Sequence, residues 1–161
     1  QQVERRAALK RYAGHPLFLW AGINTWLRHY DRSKARMKVE HSLGSVDDSY
    51  FTIVLNTDPY TYLGSRPLSL ATAAGLNNGL SVVALRSMSL ATMTRLLREL
   101  FQGKPLENSD DLYIAHDIDS LKITGYKPFP YQLDGDYLGQ VEQLDFKWRP
   151  EVLRLVKPAH R

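Results

Sequence analysis

The stretch Pro128-Phe129-Pro130-Tyr131-Gln132-Leu133-Asp134-Gly135-Asp136-Tyr137-Leu138-Gly139 reads as a β-hairpin with its turn at Asp134-Gly135. Tyr131 and Leu133 alternate with Gln132 on the way in. Asp-Gly supplies residues that tolerate positive φ, and Tyr137-Leu138 resumes an extended strand. A tight turn fixes where its neighbours point, so the carboxylates of Asp134 and Asp136 are candidates for chemistry. The plainer reading is that Asp-Gly is hairpin punctuation and Asp136 a solvated charge at a strand edge.

Downstream of that turn, Leu144, Phe146 and Trp148 oppose Gln143, Asp145 and Lys147, the alternation of a half-buried antiparallel strand over Val141 to Lys147. A last strand is expected over Val152 to Val156. Upstream, strands are expected at Tyr113 to Ala115 and Leu121 to Thr124, and Leu80 to Leu85 reads as a buried strand because it is continuously rich in apolar residues. Met37 and Val39 alternate with polar neighbours, as do Phe51, Ile53 and Leu55, which predicts a hairpin with Gly44 to Asp48 as its turn. The segment Thr57 to Pro67 is too rich in Pro, Gly and Tyr for regular structure.

Three helices are expected. Ser89 to Gln102 carries Leu90, Met93, Leu97 and Leu100 on one face, with Ser87 or Ser89 to cap its start and Gly103 to end it. Gln2 to Tyr12 and Pro16 to Tyr30 open the chain. The second has a wide apolar stripe through Leu19, Ile23, Trp26 and Tyr30, which suits either packing on a sheet or lining an acyl-chain pocket. The sum is an α+β fold, an antiparallel β-sandwich with flanking helices, occupying residues 1–161 as one domain.

A chain of 161 residues buries a core without disulfides, and this one has no cysteine. Thiol nucleophiles and cysteine zinc sites are thereby excluded, and a reducing compartment fits. The longest apolar run, Pro16 to Ile23, is far short of the roughly 20 residues that a membrane span requires. A cytoplasmic protein with at most peripheral membrane contact is expected. The net charge of +4 is concentrated in residues 1–40, which hold nine Lys or Arg against three acidic residues. Such an end suits a solvated helical face or an anionic partner. Nucleic acid is not the expected one, because the aromatic residues are not interleaved with the basic ones on a strand face. The five histidines show no zinc-binding spacing and read as surface or capping residues.

The Asp134-Gly135-Asp136 turn, the glycine at 139 and the closing Phe146-Lys147-Trp148-Arg149-Pro150-Glu151-Val152-Leu153-Arg154-Leu155-Val156 together resemble the C-terminal part of the bacterial diacylglycerol kinase family, to which sphingosine kinases are distantly related. Ile53 to Asn56 leading into Pro59-Tyr60-Thr61-Tyr62-Leu63-Gly64 is similar to the family's strand and proline-aromatic-glycine loop. The Tyr62 to Pro67 form of that loop resembles actinobacterial members. Gly79 to Arg86 and the following helix resemble its central strand and helix.

The resemblance implies the lipid-side, C-terminal β-sandwich of a two-domain, ATP-dependent lipid kinase that converts diacylglycerol to phosphatidic acid. The partners it implies are the lipid and an N-terminal nucleotide domain. That domain's Gly-Gly-Asp-Gly-Thr loop does not occur here, and the chain opens on Gln, so a fragment inactive by itself is expected. ATP and Mg2+ are cofactors of the complete enzyme, with none expected for this chain alone. The resemblance gives Asp136 the role of the carboxylate that faces the lipid hydroxyl, at a position where relatives usually carry Glu. One methylene fewer shortens its reach by about 1 Å, which favours a water-mediated or metal-orienting role. Asp134 is expected to hold the turn and to lie near the magnesium-nucleotide complex. Trp20, Ile23, Tyr60, Tyr62 and Phe129 are lipid-pocket candidates, with core packing or loop anchoring the alternative for each aromatic. Asn77-Asn78 stand where some relatives have acidic ligands of a structural magnesium ion, and uncharged amides are weaker ligands for a hard cation. No protein metal site is therefore expected. The alternative is a stand-alone lipid-binding or interaction module without catalytic activity.

Overall fold

A computed structural model describes residues 34–63, 66–104, 106, 109–134 and 136–150. The helices expected over 2–12 and 16–30, with Trp20 and Ile23, and the strand expected over 152–156 lie outside the described residues. The chain divides into two compact units, Gln1–Ser33 and Lys34–Arg161, and the architecture below is that of the second.

Nine strands are described: β1 (Met37–His41), β2 (Gly44–Ser49), β3 (Phe51–Leu55), β4 (Thr61–Leu63), β5 (Arg66–Leu68), β6 (Leu80–Leu85), β7 (Leu112–Ile118), β8 (Ser120–Leu133) and β9 (Asp136–Lys147). One helix, α1 (Leu90–Gln102), lies between β6 and β7. All pairings are antiparallel. They form a four-stranded sheet in the order β2-β1-β8-β9, a three-stranded sheet β3-β6-β7 and a small ribbon β4-β5. The expected antiparallel sandwich is therefore the observed fold.

The two larger sheets share one core. Val39 of β1 and Ile123 and Phe129 of β8 meet Val82 and Ala84 of β6 and Ile118 of β7, all buried. A second, smaller core covers the opposite face of the three-stranded sheet, where Val83 of β6 and Leu55 of β3 pack under Ala71 and Ala74 of the long connection from β5. β6 is thus covered on both sides. A strand with no solvent face loses the polar alternation, which is why Leu80 to Leu85 reads as a continuous apolar run.

The expected hairpin between Met37 and Leu55 is corrected. Gly44 to Ser49 is a strand paired with β1, and the turn is at Ser42-Leu43. β3 pairs with β6 instead. Only Tyr50 separates β2 from β3, so the chain passes from one sheet to the other within a single residue. The physical cause is a bulge: the register shifts between Met37 and Val39, so Val46 and Ser49 are the buried positions of β2, three apart rather than two. A strand whose inward residues are Val and Ser across a bulge carries no legible period. The segment Thr57 to Pro67 likewise contains two short strands rather than none.

Helix α1 obeys its sequence signals. Ser89 is the N-cap, with φ −63° and ψ 151°, and its hydroxyl accepts the Thr92 N–H at 3.0 Å. Gly103 closes the helix at φ 68°, its N–H donating to the carbonyl of Leu100 while Lys104 donates to that of Glu99.

Candidate functional site

β8 and β9 form one long hairpin, and its tip carries the two carboxylates. Leu133 pairs directly with Asp136, and the chain turns at Asp134. Asp134 has φ 50°, the left-handed conformation that primed hairpin turns demand and that Asp tolerates through its short polar side chain. Below the tip, Tyr131 pairs with Gly139 but Gln132 pairs with Tyr137, so Leu138 is an extra residue in β9. Gly139 makes that bulge possible with φ 113°, a backbone state that side-chain-bearing residues rarely adopt.

The register determines which way the site faces. Phe129, Tyr131 and Leu133 lie on one face of β8, and the partner of Leu133 is Asp136, so Asp136 projects on the face that begins at buried Phe129. Tyr137 lies on the opposite face with Gln132. Both Asp134 and Asp136 are exposed, and among the described residues neither side chain has a hydrogen-bond or ion-pair partner. Leu133, Tyr137 and Leu138 around them are also exposed. The tip is an acidic turn set in an apolar collar.

The other candidates are distributed differently. Tyr60 and Tyr62 are exposed on the β4–β5 ribbon, where the Tyr60 N–H donates to the carbonyl of Leu68. Phe129 is 5% exposed and belongs to the central core, its ring against Gly125. Among the described residues, no hydrogen bond or ion pair joins the ribbon to the tip of the β8–β9 hairpin. Asn78 anchors its own loop, donating from Nδ2 to the Ala73 carbonyl at 3.1 Å. No group of three or more His, Asp or Glu among the described residues is arranged to hold a metal ion.

Several residues without a signal in the sequence are structurally prominent. His116-Asp117-Ile118, beyond the strand expected at Tyr113 to Ala115, is the end of β7. A register shift between Leu80 and Val82 accommodates Asp117 at φ 57°, and its Oδ1 accepts the Gly79 N–H at 2.9 Å. His116 is half-buried, with Nδ1 3.0 Å from the Ser81 hydroxyl. His41 of β1 reaches Tyr113 of β7, Nε2 to hydroxyl 2.7 Å. Neither is a bare surface histidine. An open cleft between the sheets is lined by Ser45, Val46, Asp47, Asp48, Arg86 and Tyr113. Arg86 grips Asp48 from Nε and a terminal nitrogen, each at 2.9 Å from a carboxylate oxygen. That grip holds the Asp48 carboxyl below its ordinary range, chiefly by hydrogen bonding from Arg86 against the opposing pull of burial. These partners are 38 and 72 residues apart, so no local pattern announces them.

No family model and no curated protein matches the sequence. Solved structures do match by fold. A chain described as a diacylglycerol kinase from Bacillus anthracis strain Sterne superposes with a TM-score of 0.51 at 18% identity, over 81% of this chain and 47% of that one. A second diacylglycerol kinase structure from the same organism gives 0.49 at 19% identity, over 76% and 45%. The chain spans about half the length of these structural neighbours. What is shared with the first is a β-rich fold, which in the described residues of this chain consists of antiparallel sheets and one helix.

Proposed function

We propose that this chain is the lipid-side domain of an ATP-dependent lipid kinase whose acceptor is the primary hydroxyl of a diacylglycerol and whose product is a phosphatidic acid. The fold shared with a diacylglycerol kinase chain supports the class. The observation that carries the reading is Asp136: an exposed carboxylate at the end of a hairpin, without a hydrogen-bond or ion-pair partner among the described residues and beside its exposed register partner Leu133. A carboxylate that must meet a hydroxyl on an apolar molecule needs that combination of free charge and apolar surroundings.

In this reading the nucleotide is contributed by a separate domain of the same protein. Asp136 orients the lipid hydroxyl and accepts its proton, directly or through one water, as the oxygen attacks the γ-phosphorus and the bond to the β–γ bridging oxygen breaks to release ADP. Asp134 and Asp136 are the residues that would help to hold a magnesium ion brought with the nucleotide, since such sites take one or two carboxylates. Magnesium, when bound, supplies neutralisation of the phosphoryl charge. The chain's own residues supply position: the turn at Asp134 and the bulge at Gly139 set the projection of Asp136. Tyr60, Tyr62 and the collar of the hairpin are assigned to the acyl chains, and peripheral contact with a cytoplasmic membrane surface follows from the substrate. Among the described residues no helix is long and apolar enough to cross a membrane.

The test is transfer from labelled ATP by the full-length gene product, with diacylglycerol, a sphingoid base and a glycolipid offered in mixed micelles. Labelled phosphatidic acid is the expected product. Asp136→Asn should reduce turnover by about 100-fold or more, the usual contribution of a positioned acid-base group, without a change in melting temperature. Near-normal turnover of that variant would remove Asp136 from the chemistry. Lipid binding without transfer to any acceptor would favour the stand-alone module.

A further inference from the structure

We propose that His41 clasps the β1–β2 turn through an unprotonated Nδ1 and releases it on protonation, so that proton uptake loosens the β2 wall of the cleft between the sheets. The geometry assigns the tautomer. The Leu43 backbone N–H can only donate, and it donates to Nδ1 of His41 at 3.2 Å. Nδ1 therefore carries a lone pair, and the proton of the neutral ring is on Nε2, where it donates to the Tyr113 hydroxyl at 2.7 Å. The two rings are tilted at 48° with centroids 5.7 Å apart. One imidazole thus ties the turn at Ser42-Leu43 to β7 of the other sheet, with both nitrogens engaged.

Protonation affects the two bonds oppositely. A proton on Nδ1 places one N–H against another at the Leu43 contact, which removes the acceptor and adds repulsion. The bond from Nε2 to Tyr113 becomes charge-assisted and persists. The ring stays on β7 while the turn is let go. The residues that follow the turn are Ser45 to Asp48, the β2 side of the cleft, and Tyr113 is on its other side. Gly44 fits this arrangement closely: a Cβ there would stand 3.2 Å from the Tyr113 oxygen.

Little else around the ring answers to pH. The titratable group facing it from β7 is Tyr113. Its register partners are Gly44 on β2 and Leu121 on β8, both uncharged. Glu40 beside it on β1 is engaged by Lys38 at 3.0 Å, and Asp48 beyond it on β2 by Arg86. Asp47 of β2 is 3.8 Å from Lys38. Burial alone lowers the His41 pKa, with no charged neighbour contributing, so release falls below the ordinary value of 6.5.

The experiment is 15N NMR of the full chain from about pH 8 to about pH 5. The imidazole nitrogens at the upper end should report the Nε2–H tautomer. On acidification, the amide of Leu43 and those of Ser45 to Asp48 should shift with one shared midpoint equal to that of His41 and below 6.5. His41→Gln should abolish that midpoint. An Nδ1–H tautomer at neutral pH would overturn the clasp. A Leu43 amide that does not follow His41 would overturn it as well. If Leu43 follows while Ser45 to Asp48 do not, the link to the cleft wall is wrong.

Discussion

Asp48 and Arg86 stitch the two sheets of the sandwich together at the mouth of the cleft, one from β2 and one from the residue after β6. Arg86 also donates its backbone N–H to Asp111, and Tyr50 donates to Leu85, so the ion pair reaches β2 from a backbone fixed at the end of the β3-β6-β7 sheet. Both side chains are about half exposed, so solvent screening limits the pair to about 0.2–1 kcal/mol. Because the folded pKa of Asp48 lies below the ordinary 3.8, its contribution is fully present above that value and is lost as pH falls through the folded pKa. Asp48→Asn should cost that small amount at neutral pH and flatten the acid limb of the stability curve below about pH 4. Urea titrations of both proteins at neutral and acid pH measure it; an equal difference at both would remove the pair as cause.

Gly79 is a position where backbone meets backbone. A Cβ added there would lie 2.7 Å from the Ile118 nitrogen and 2.8 Å from the Asp117 carbonyl carbon, so the β6–β7 ladder would have to separate. Gly79→Ala should destabilise the domain by about 2–3 kcal/mol, read as a lowered denaturation midpoint. A stability within error of the parent protein would show that the two strands do not approach so closely.

Asp117 combines a left-handed backbone with a capping carboxylate. Asp117→Ala removes the acceptor of the Gly79 N–H and leaves the strained φ, and should cost about 1–3 kcal/mol. Asp117→Gly removes the same acceptor but relieves the backbone, so it should be the milder of the two by about 1 kcal/mol. Reversal of that order in thermal melts would mean that the conformation at 117 is not what sets the cost.

Phe129 and Tyr62 separate core packing from the lipid contact proposed above. In the core against Gly125, its truncation should cost about 3–5 kcal/mol. Tyr62→Ala, at a side chain 57% exposed, should leave stability within about 0.5 kcal/mol. Lipid affinity in vesicle co-sedimentation should then fall for Tyr62→Ala with the fold intact. Unchanged affinity would take Tyr62 out of the lipid contact.

The helix cap offers a local check. Ser89→Ala deprives the Thr92 N–H of its acceptor and should destabilise by about 1 kcal/mol. Thr92 is buried, and its hydroxyl donates onward to Asp111 at 3.2 Å, which is also held by Arg95. Ser89→Asp restores an acceptor at a helix start that has no acidic residue in its first turn, and should recover most of the loss. Circular dichroism melts decide both.

What could be read from the residues followed from local rules. Asp134 made the turn because it tolerates the positive φ found there, and Ser89 and Gly103 bounded a helix for equally local reasons. The doubly buried β6 was legible as an apolar run. β2 was not, since a bulge in its pairing set its buried residues three apart and one of them is Ser49. At the proposed site the sequence located the hairpin and its two carboxylates, while the facing of Asp136 required the register with Leu133. The contacts of His41, Asp48 and Arg86 depend on how two sheets stack, which no window of neighbouring residues contains.

The pairing of β8 also has a mechanical consequence. β1 supports β8 from Leu121 to Gly125, whereas among the described residues the strand pairing of 129 to 133 is with β9 alone. Among those residues the hairpin is therefore a cantilever: anchored over its lower half by three-strand pairing, and carried over its upper half by two strands from the level of Phe129. A load applied at Asp136 is borne by two strands and the Gly139 bulge rather than by the sandwich. Position at the tip can then be tuned by residues between 130 and 140 without drawing on the stability of the domain, and amide exchange should quicken in steps from Phe129 toward Leu133.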